Sequence, residues 1–147
     1  MNCNFFVIEE NAKDWHEAIT ACAQELRRRE LVDDDFCRAC LEREKEFPTG
    51  LDTELGVAIP HTTADHVHEN AICVLRLKQP VKFRRMDDPD EETEAHFVFN
   101  LAVRDPDQQL NILRAIVRLV QDGECMRACW QMPAEELRQT LYAKLYQ

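Results

Sequence analysis

The chain contains no serine and has only three glycines in 147 residues. The first absence excludes hydrolases built on a serine nucleophile, because no G-x-S-x-G elbow can be formed. The second goes with the lack of any Walker A or Rossmann glycine pattern, which argues against nucleotide binding through a phosphate-cradling loop. Basic residues are also in short supply: 18 Lys and Arg stand against 28 Asp and Glu, for a formal net charge of −10. Nucleic acid and anionic membranes would repel such a chain, whereas a basic protein partner remains compatible with it. Long apolar runs are missing as well. No segment approaches the ~18 apolar residues of a membrane span. The N-terminal stretch Met1 to Glu10 lacks a basic region, and its apolar run from Phe5 to Ile8 is shorter than the ~7–15 residues of a signal peptide. These absences point to a protein that stays in the cytoplasm.

Hydrophobic residues make up 45% and charged residues 31% of the chain, the composition of a compact, helix-rich α/β or α+β protein. Residues 1–147 contain no repeat, low-complexity tract or linker and read as a single domain. A chain of this length buries roughly two-thirds of the surface that its unfolded form exposes. The seven cysteines are an odd number, scattered mostly over apolar-periodic positions, the pattern of reduced, buried thiols. Cys37-Arg38-Ala39-Cys40 matches C-x-x-C but lies inside a helical pattern, without the strand-then-helix context of a redox motif.

Phe5 to Ile8 reads as a first strand. Asp14 and Glu17 form a capping-box arrangement ahead of a helix that carries Trp15, Ala18, Ile19, Cys22 and Leu26 on one face. Asp33-Asp34-Asp35 opens a second helix bearing Phe36, Ala39, Cys40 and Arg43, which Pro48 and Gly50 stop. Val57 to Ile59, Ala71 to Leu77 and Ala95 to Val103 are strand candidates, and Pro80 to Phe83 reads as a separate short edge piece. After Asp105-Pro106 a third helix presents Leu110, Leu113, Ile116, Val117 and Val120, with Gly123 as its end. A short helical segment from Cys125 to Trp130 and a last helix with Leu137, Leu141 and Leu145 inward complete the chain. Helices before, between and after the strands imply an α/β sandwich, a small mixed sheet flanked by helices on both faces.

Histidine is the side chain here with a neutral, nucleophilic ring nitrogen near pH 7. His16 falls on the polar side of its helix and His96 inside a strand, so both read as structural or solvated. His61, His66 and His68 cluster in a loop near Asp65 and Glu69. Their spacings match neither H-E-x-x-H nor a C-x-x-C pairing, which leaves metal-dependent hydrolysis as a third-ranked reading, with no metal expected. His61 is distinguished by its place directly after Pro60, at the end of the apolar run Gly56-Val57-Ala58-Ile59. Arg43 lies upstream, on the helix that ends at Pro48-Thr49-Gly50, and its planar guanidinium suits phosphate oxygens. Spacing alone does not bring Arg43 and His61 together.

The segments Arg43-Glu44-Lys45-Glu46-Phe47-Pro48-Thr49-Gly50-Leu51, Gly56-Val57-Ala58-Ile59-Pro60-His61-Thr62, Pro80-Val81-Lys82-Phe83, and Leu101-Ala102-Val103 with Asp105 to Leu110 resemble, in order, the enzyme IIA domain of the bacterial sugar phosphotransferase system, fructose/mannitol superfamily. Asp105 to Leu110 is most similar to the galactitol-type branch. The resemblance spans about Phe5 to Leu145. It implies that His61 accepts a phosphoryl group on Nε2 from the phosphocarrier HPr and passes it to a cysteine of a cognate enzyme IIB, without a cofactor. Contact with the membrane component, enzyme IIC, would run through IIB. It further implies that Arg43 binds phosphate and that Thr49 and Pro60 shape the pocket. Mannitol- and nitrogen-type members carry a second histidine where this chain has Gln109, so a neutral amide replaces an imidazolium as support for the transferred group. His66 is the nearest local candidate to compensate, though a solvated loop position is its simpler reading. A regulatory module of the same fold, whose phosphorylation controls a partner, is the alternative to sugar uptake.

Overall fold

A computed structural model describes residues 3–146; Met1 and Asn2 of the segment read above for a leader lie outside them. Five strands form one mixed sheet in the order β1-β4-β5-β3-β2. They are β1 (Asn4–Glu10), β2 (Gly50–Leu51), β3 (Val57–Ala58), β4 (Ala71–Arg84) and β5 (Glu92–Ala102). β4 pairs parallel with β1 and antiparallel with β5, β5 pairs parallel with β3, and β3 antiparallel with β2.

The helices are α1 (Trp15–Arg28), α2 (Phe36–Glu46), α3 (Pro106–Val120), α4 (Gly123–Gln131) and α5 (Ala134–Leu145). Side-chain alternation along the central strands explains why they split between two layers. Ala71, Cys73, Leu75 and Leu77 of β4, with Val98 and Ala102 of β5, join Ile19, Cys22 and Leu26 of α1 and Phe36 and Cys40 of α2 in one apolar cluster. Ile72 and Val74, with Phe97, Phe99 and Leu101, form the opposite cluster with Ile112, Ile116 and Val120 of α3, Met126 of α4 and Leu137 and Leu141 of α5. The sheet therefore carries helices on both faces, as the α/β sandwich expected from sequence requires.

Asp14 caps α1 as its position implied, with the Glu17 N–H donating to Asp14 Oδ1 at 2.9 Å, while the Glu17 carboxylate reaches back one residue past the cap to accept the Lys13 N–H at 3.0 Å. Asp105 likewise accepts from the Asp107 N–H at the start of α3, with Pro106 in the first turn. Three expectations are corrected. Pro80 to Phe83 is not a separate edge piece but the continuation of β4, which resumes its pairing with β5 at Val81–Ala95 after a register shift between Arg76 and Val81. A bulge accommodates Pro80, whose missing N–H would interrupt a regular ladder. Gly123 begins α4 rather than merely ending α3, because the Asp122 carboxylate caps the new helix at the Cys125 N–H. On α3, Leu110 is 44% exposed, and the buried stripe runs through Ile112, Ile116, Leu119 and Val120.

Two glycines fix how closely β2 and β3 can approach their neighbours. A Cβ on Gly50 would lie 2.6 Å from the Arg84 carbonyl oxygen, and one on Gly56 would lie 2.3 Å from that of Glu94 and 2.7 Å from Thr93 Oγ1. Backbone oxygen cannot swing aside as a side-chain tip can, so a methyl group forces the strands apart. Gly56→Ala is expected to lower stability by about 1–3 kcal/mol, read from urea unfolding midpoints at unchanged m-value.

Candidate active site

β3 ends at Ala58, so the backbone of Ile59 leaves the sheet ladder while the residue remains wholly buried. Buried peptide groups need partners, and here side chains supply them. The Ile59 N–H donates to Thr49 Oγ1 at 3.1 Å. The Ile59 carbonyl lies 2.8 Å from Nδ1 of His61. A carbonyl can only accept, so Nδ1 carries the proton and Nε2 keeps its lone pair.

The next carbonyl, that of Pro60, accepts from Asn100 Nδ2 and from the Leu101 N–H, both at 3.0 Å. Proline offers no N–H of its own to satisfy. The segment carrying His61 is thus pinned from β5 on one side and from the Pro48-Thr49-Gly50 turn on the other. His61 itself is half-buried. Burial pulls its pKa below the ordinary histidine value, the bond to the Ile59 carbonyl opposes this, and the positive charge of Arg43 lowers it further. Each of the two lowering effects favours the neutral, nucleophilic ring.

Arg43 reaches this site from the last turn of α2, with its guanidinium carbon 4.6 Å from the ring centroid of the exposed Phe47. That contact holds a long side chain by a cation–π attraction and leaves its N–H fork open to solvent. Gln109, in the first turns of α3, donates from Nε2 to the carbonyl of Thr62, the residue after His61, at 3.2 Å. Of the residues singled out from sequence, His61, Arg43, Thr49, Pro60 and Gln109 are therefore brought together. His66 is not drawn in: it lies on a short 3-10 turn, Ala64–His66, and its Nδ1 pairs with Asp33 Oδ2 at 3.0 Å. His68 is exposed, and its carbonyl accepts from Arg104. The ligand atoms of Asp33, Asp35 and His66 approach one another closely, but Asp33 is engaged with His66 and Asp35 with Arg38. The three loop histidines do not converge on that group.

His16 is exposed, as its helical position implied, and His96 packs edge-on against Trp130 with ring centroids 4.7 Å apart. All seven cysteines are free thiols, and Cys22, Cys40, Cys73 and Cys129 are buried.

Two residues went unnoticed in the sequence. Asn100 stands in the apolar stretch Phe99-Asn100-Leu101, fully buried, on the sheet face shared by Val98 and Ala102. Glu44 is buried on α2, and its signal was present: Phe36, Cys40 and Glu44 recur every four residues along the inner stripe of that helix. Glu44 accepts both the N–H and the Oγ1–H of Thr49 at 2.8 Å.

These features match a known family. The family described as "Phosphoenolpyruvate-dependent sugar phosphotransferase system, EIIA 2" matches residues 1–143, and the chain belongs to it. It is 33% identical over 127 residues to the "PTS system galactitol-specific EIIA component" of Escherichia coli K12, covering 86% of this chain and 84% of that protein. It is 28% identical over 103 residues to the "Transcriptional regulator ManR" of Bacillus subtilis, covering 70% of this chain and 14% of the regulator. The fold superposes with a TM-score of 0.71, at 21% identity, on a solved structure of the complex of enzyme IIA mannitol and phosphorylated enzyme IIB mannitol from Escherichia coli, covering 97% of this chain and 94% of that one. As a member of this family the chain is a phosphotransferase component. Among the described residues no helix is long and apolar enough to cross a membrane.

Burial raises the Glu44 carboxyl to about 7, against opposing hydrogen bonds from Thr49 and the charge of Arg84. Between the ordinary carboxyl range and about 7 the folded chain holds a proton that the unfolded chain has released. The stabilisation is therefore complete at low pH and lost as pH rises through that window, by on the order of 3 kcal/mol. Glu44→Gln should flatten this decline, as measured by urea unfolding at pH 5 and pH 8.

Proposed function

We propose that the chain is the phosphoryl carrier of a galactitol-type sugar phosphotransferase system, with His61 as the covalent acceptor. The observation that carries this reading is the 2.8 Å contact of His61 Nδ1 with the Ile59 carbonyl, which leaves Nε2 as the one lone pair available for phosphorus. Nε2 attacks the phosphorus of phosphorylated HPr, a new N–P bond forms as the donor's N–P bond breaks, and the electron pair returns to the donor imidazole. The proton stays on Nδ1, shared with the Ile59 carbonyl, so the positive character gained by the ring is held in place. In the onward step a cysteine thiolate of enzyme IIB attacks the same phosphorus, and the bonding pair returns to Nε2.

Phosphoryl transfer passes through a loose transition state with charge spread over three equatorial oxygens, so positioned donors do most of what a protein can do. Arg43 supplies a charged fork for those oxygens. Gln109 supplies a neutral amide and ties the start of α3 to the strand end that carries His61. Thr49 and Pro60 shape the pocket through the backbone bonds described above. The whole chain, residues 1–147, acts as one enzyme IIA unit on the cytoplasmic side, meeting enzyme IIC only through IIB, and no cofactor enters the cycle. The IIB partner is supported by the mannitol complex whose IIA component shares this fold. The sugar branch is supported by the 33% identity to the galactitol component. A regulatory role, in which phosphorylation of the same histidine controls a partner, draws on the likeness to ManR at 28% identity; the higher identity favours uptake.

Incubation with phosphoenolpyruvate, enzyme I and HPr should place one acid-labile phosphate on the wild-type protein and none on His61→Ala. Phosphorylation of a folded His61→Ala protein at wild-type level would exclude the assignment. Arg43→Ala should slow transfer by roughly tenfold to a hundredfold with the fold retained. The same change removes a nearby positive charge, so it should also raise the pKa of His61, which a proton NMR titration of the imidazole resolves. Growth on galactitol of a strain lacking its own galactitol IIA component, restored by this chain, checks the sugar branch.

A further inference from the structure

Glu44 takes no part in the transfer chemistry above, yet it is the one buried acidic side chain among the described residues, 4% exposed. A carboxylate in such a place costs stability that an apolar side chain of similar size would not. Its surroundings indicate what it does there. Both of its oxygens accept from one residue, from the N–H and the Oγ1–H of Thr49 at 2.8 Å each. Above a pH of about 7, where the Glu44 carboxyl is ionised, it has no proton to give. The Thr49 hydroxyl proton must therefore point at Glu44, which turns the hydroxyl lone pairs toward the Ile59 N–H, 3.1 Å away. A threonine hydroxyl left to itself can present either a proton or a lone pair; the carboxylate removes the choice. Ile59 is then held by its N–H, and its carbonyl receives the His61 Nδ1–H at 2.8 Å. Four residues from three segments are thus joined in one polar chain with a single direction of donation.

Resting on the reading that His61 is the phosphoryl acceptor, we propose that Glu44 is a positioning residue which, through Thr49, fixes the backbone of Ile59 and so holds His61 in the Nδ1–H tautomer with Nε2 free. The carboxylate touches no reacting atom. Its contribution is to fix the Thr49 hydroxyl, and through it the place of the Ile59 peptide whose carbonyl receives the His61 ring, and this separates it from a residue that merely fills space. Glutamine has the same shape but carries a donor where the Thr49 hydroxyl proton needs an acceptor, so that bond can form only in reverse and the hydroxyl proton loses the partner that orients it. Valine at position 49 keeps the volume of threonine and breaks the chain at its centre, whereas serine retains the hydroxyl.

The test compares wild type, Glu44→Gln, Thr49→Val and Thr49→Ser at pH 8, each checked for folding by its backbone amide spectrum. The imidazole nitrogen chemical shifts of His61, recorded on the unphosphorylated protein, report the tautomer directly. Wild type and Thr49→Ser should hold the proton on Nδ1, while Glu44→Gln and Thr49→Val should populate the Nε2–H form. In transfer from phosphorylated HPr, kcat of those two variants should fall by roughly tenfold or more, with KM for HPr within about twofold, and Thr49→Ser should restore kcat. Folded Glu44→Gln and Thr49→Val proteins with wild-type nitrogen shifts would overturn the proposal whatever their rates, as would a changed tautomer with wild-type kcat. If Glu44→Gln does not fold, the Thr49→Val and Thr49→Ser pair decides. Should the wild-type protein accept no phosphate from HPr, the function proposed above fails, while the nitrogen shifts still decide whether Glu44 sets the tautomer.

Discussion

The end of a two-residue strand governs the candidate site. β3 pairs with β5 only over Val57 and Ala58, and the chain then continues through Ile59 and Pro60 without leaving the interior. Three backbone polar groups, the Ile59 N–H and the carbonyls of Ile59 and Pro60, are thereby released from the ladder in a place that water does not reach, and an unpaired buried peptide group costs about as much as a lost hydrogen bond. Thr49, Asn100, the Leu101 N–H and the His61 ring meet that demand between them. The imidazole is thus recruited as the partner of a stranded carbonyl. Its tautomer follows from the same requirement, since the ring nitrogen facing a carbonyl must carry the proton.

The remaining architecture brings the required groups to that strand end. α2 ends at Glu46, and its last turn projects Glu44 inward and Arg43 outward, because adjacent helical positions lie about 100° apart. One helix end therefore serves both the buried support of the site and its exposed cationic rim. The turn that follows returns through Gly50, whose missing Cβ lets β2 lie against the Arg84 carbonyl. α3 enters from the opposite face of the sheet, and Gln109 in its first turns reaches the carbonyl after His61. Support thus converges from α2 in one apolar layer, α3 in the other, and β5 between them.

Much of this could be read from residues alone, for identifiable reasons. Helix starts carried their own chemistry at Asp14 and Asp105, and strand alternation separated the two layers, so local rules and tertiary structure agree there. Local signals mislead where tertiary pairing overrides them. Pro80 looked like the start of an edge piece, but β5 continues on the far side of the bulge and recaptures β4 at Val81. Gly123 looked like a stop, but Asp122 caps a new helix at the same place. At the site, His61 stood out by its place after Pro60, while the joining of Arg43 and Thr49 to it came from the family resemblance of the segments that carry them. Their hydrogen-bonded link was not visible, since Glu44 reads as one more acid in a chain of 28 Asp and Glu until its place on the inner stripe of α2 is counted. Asn100 was hidden by its apolar neighbours, and no local rule tells which strand residue must serve a carbonyl forty positions away.

A relay station must give up its cargo as readily as it takes it, and this sets a limit on how much positive charge such a site should hold. A group bound more tightly on His61 than on its neighbours would stall there, because only interactions stronger in the transition state than in the bound state speed transfer. This site concentrates its charged help in one arginine, braced against Phe47 at the rim. At the position where the family resemblance implies a second imidazole in other branches, this chain carries the amide of Gln109, already engaged with the Thr62 carbonyl. Burial and the Arg43 charge both work against protonation of His61, so the ring enters the cycle neutral. Under the proposed reading, the precision of the backbone cradle takes over part of what a second charged ring would supply. A nucleophile held in one tautomer and one orientation has less to reorganise in either direction, so the cradle lowers the barrier without deepening the well in which the phosphoryl group rests.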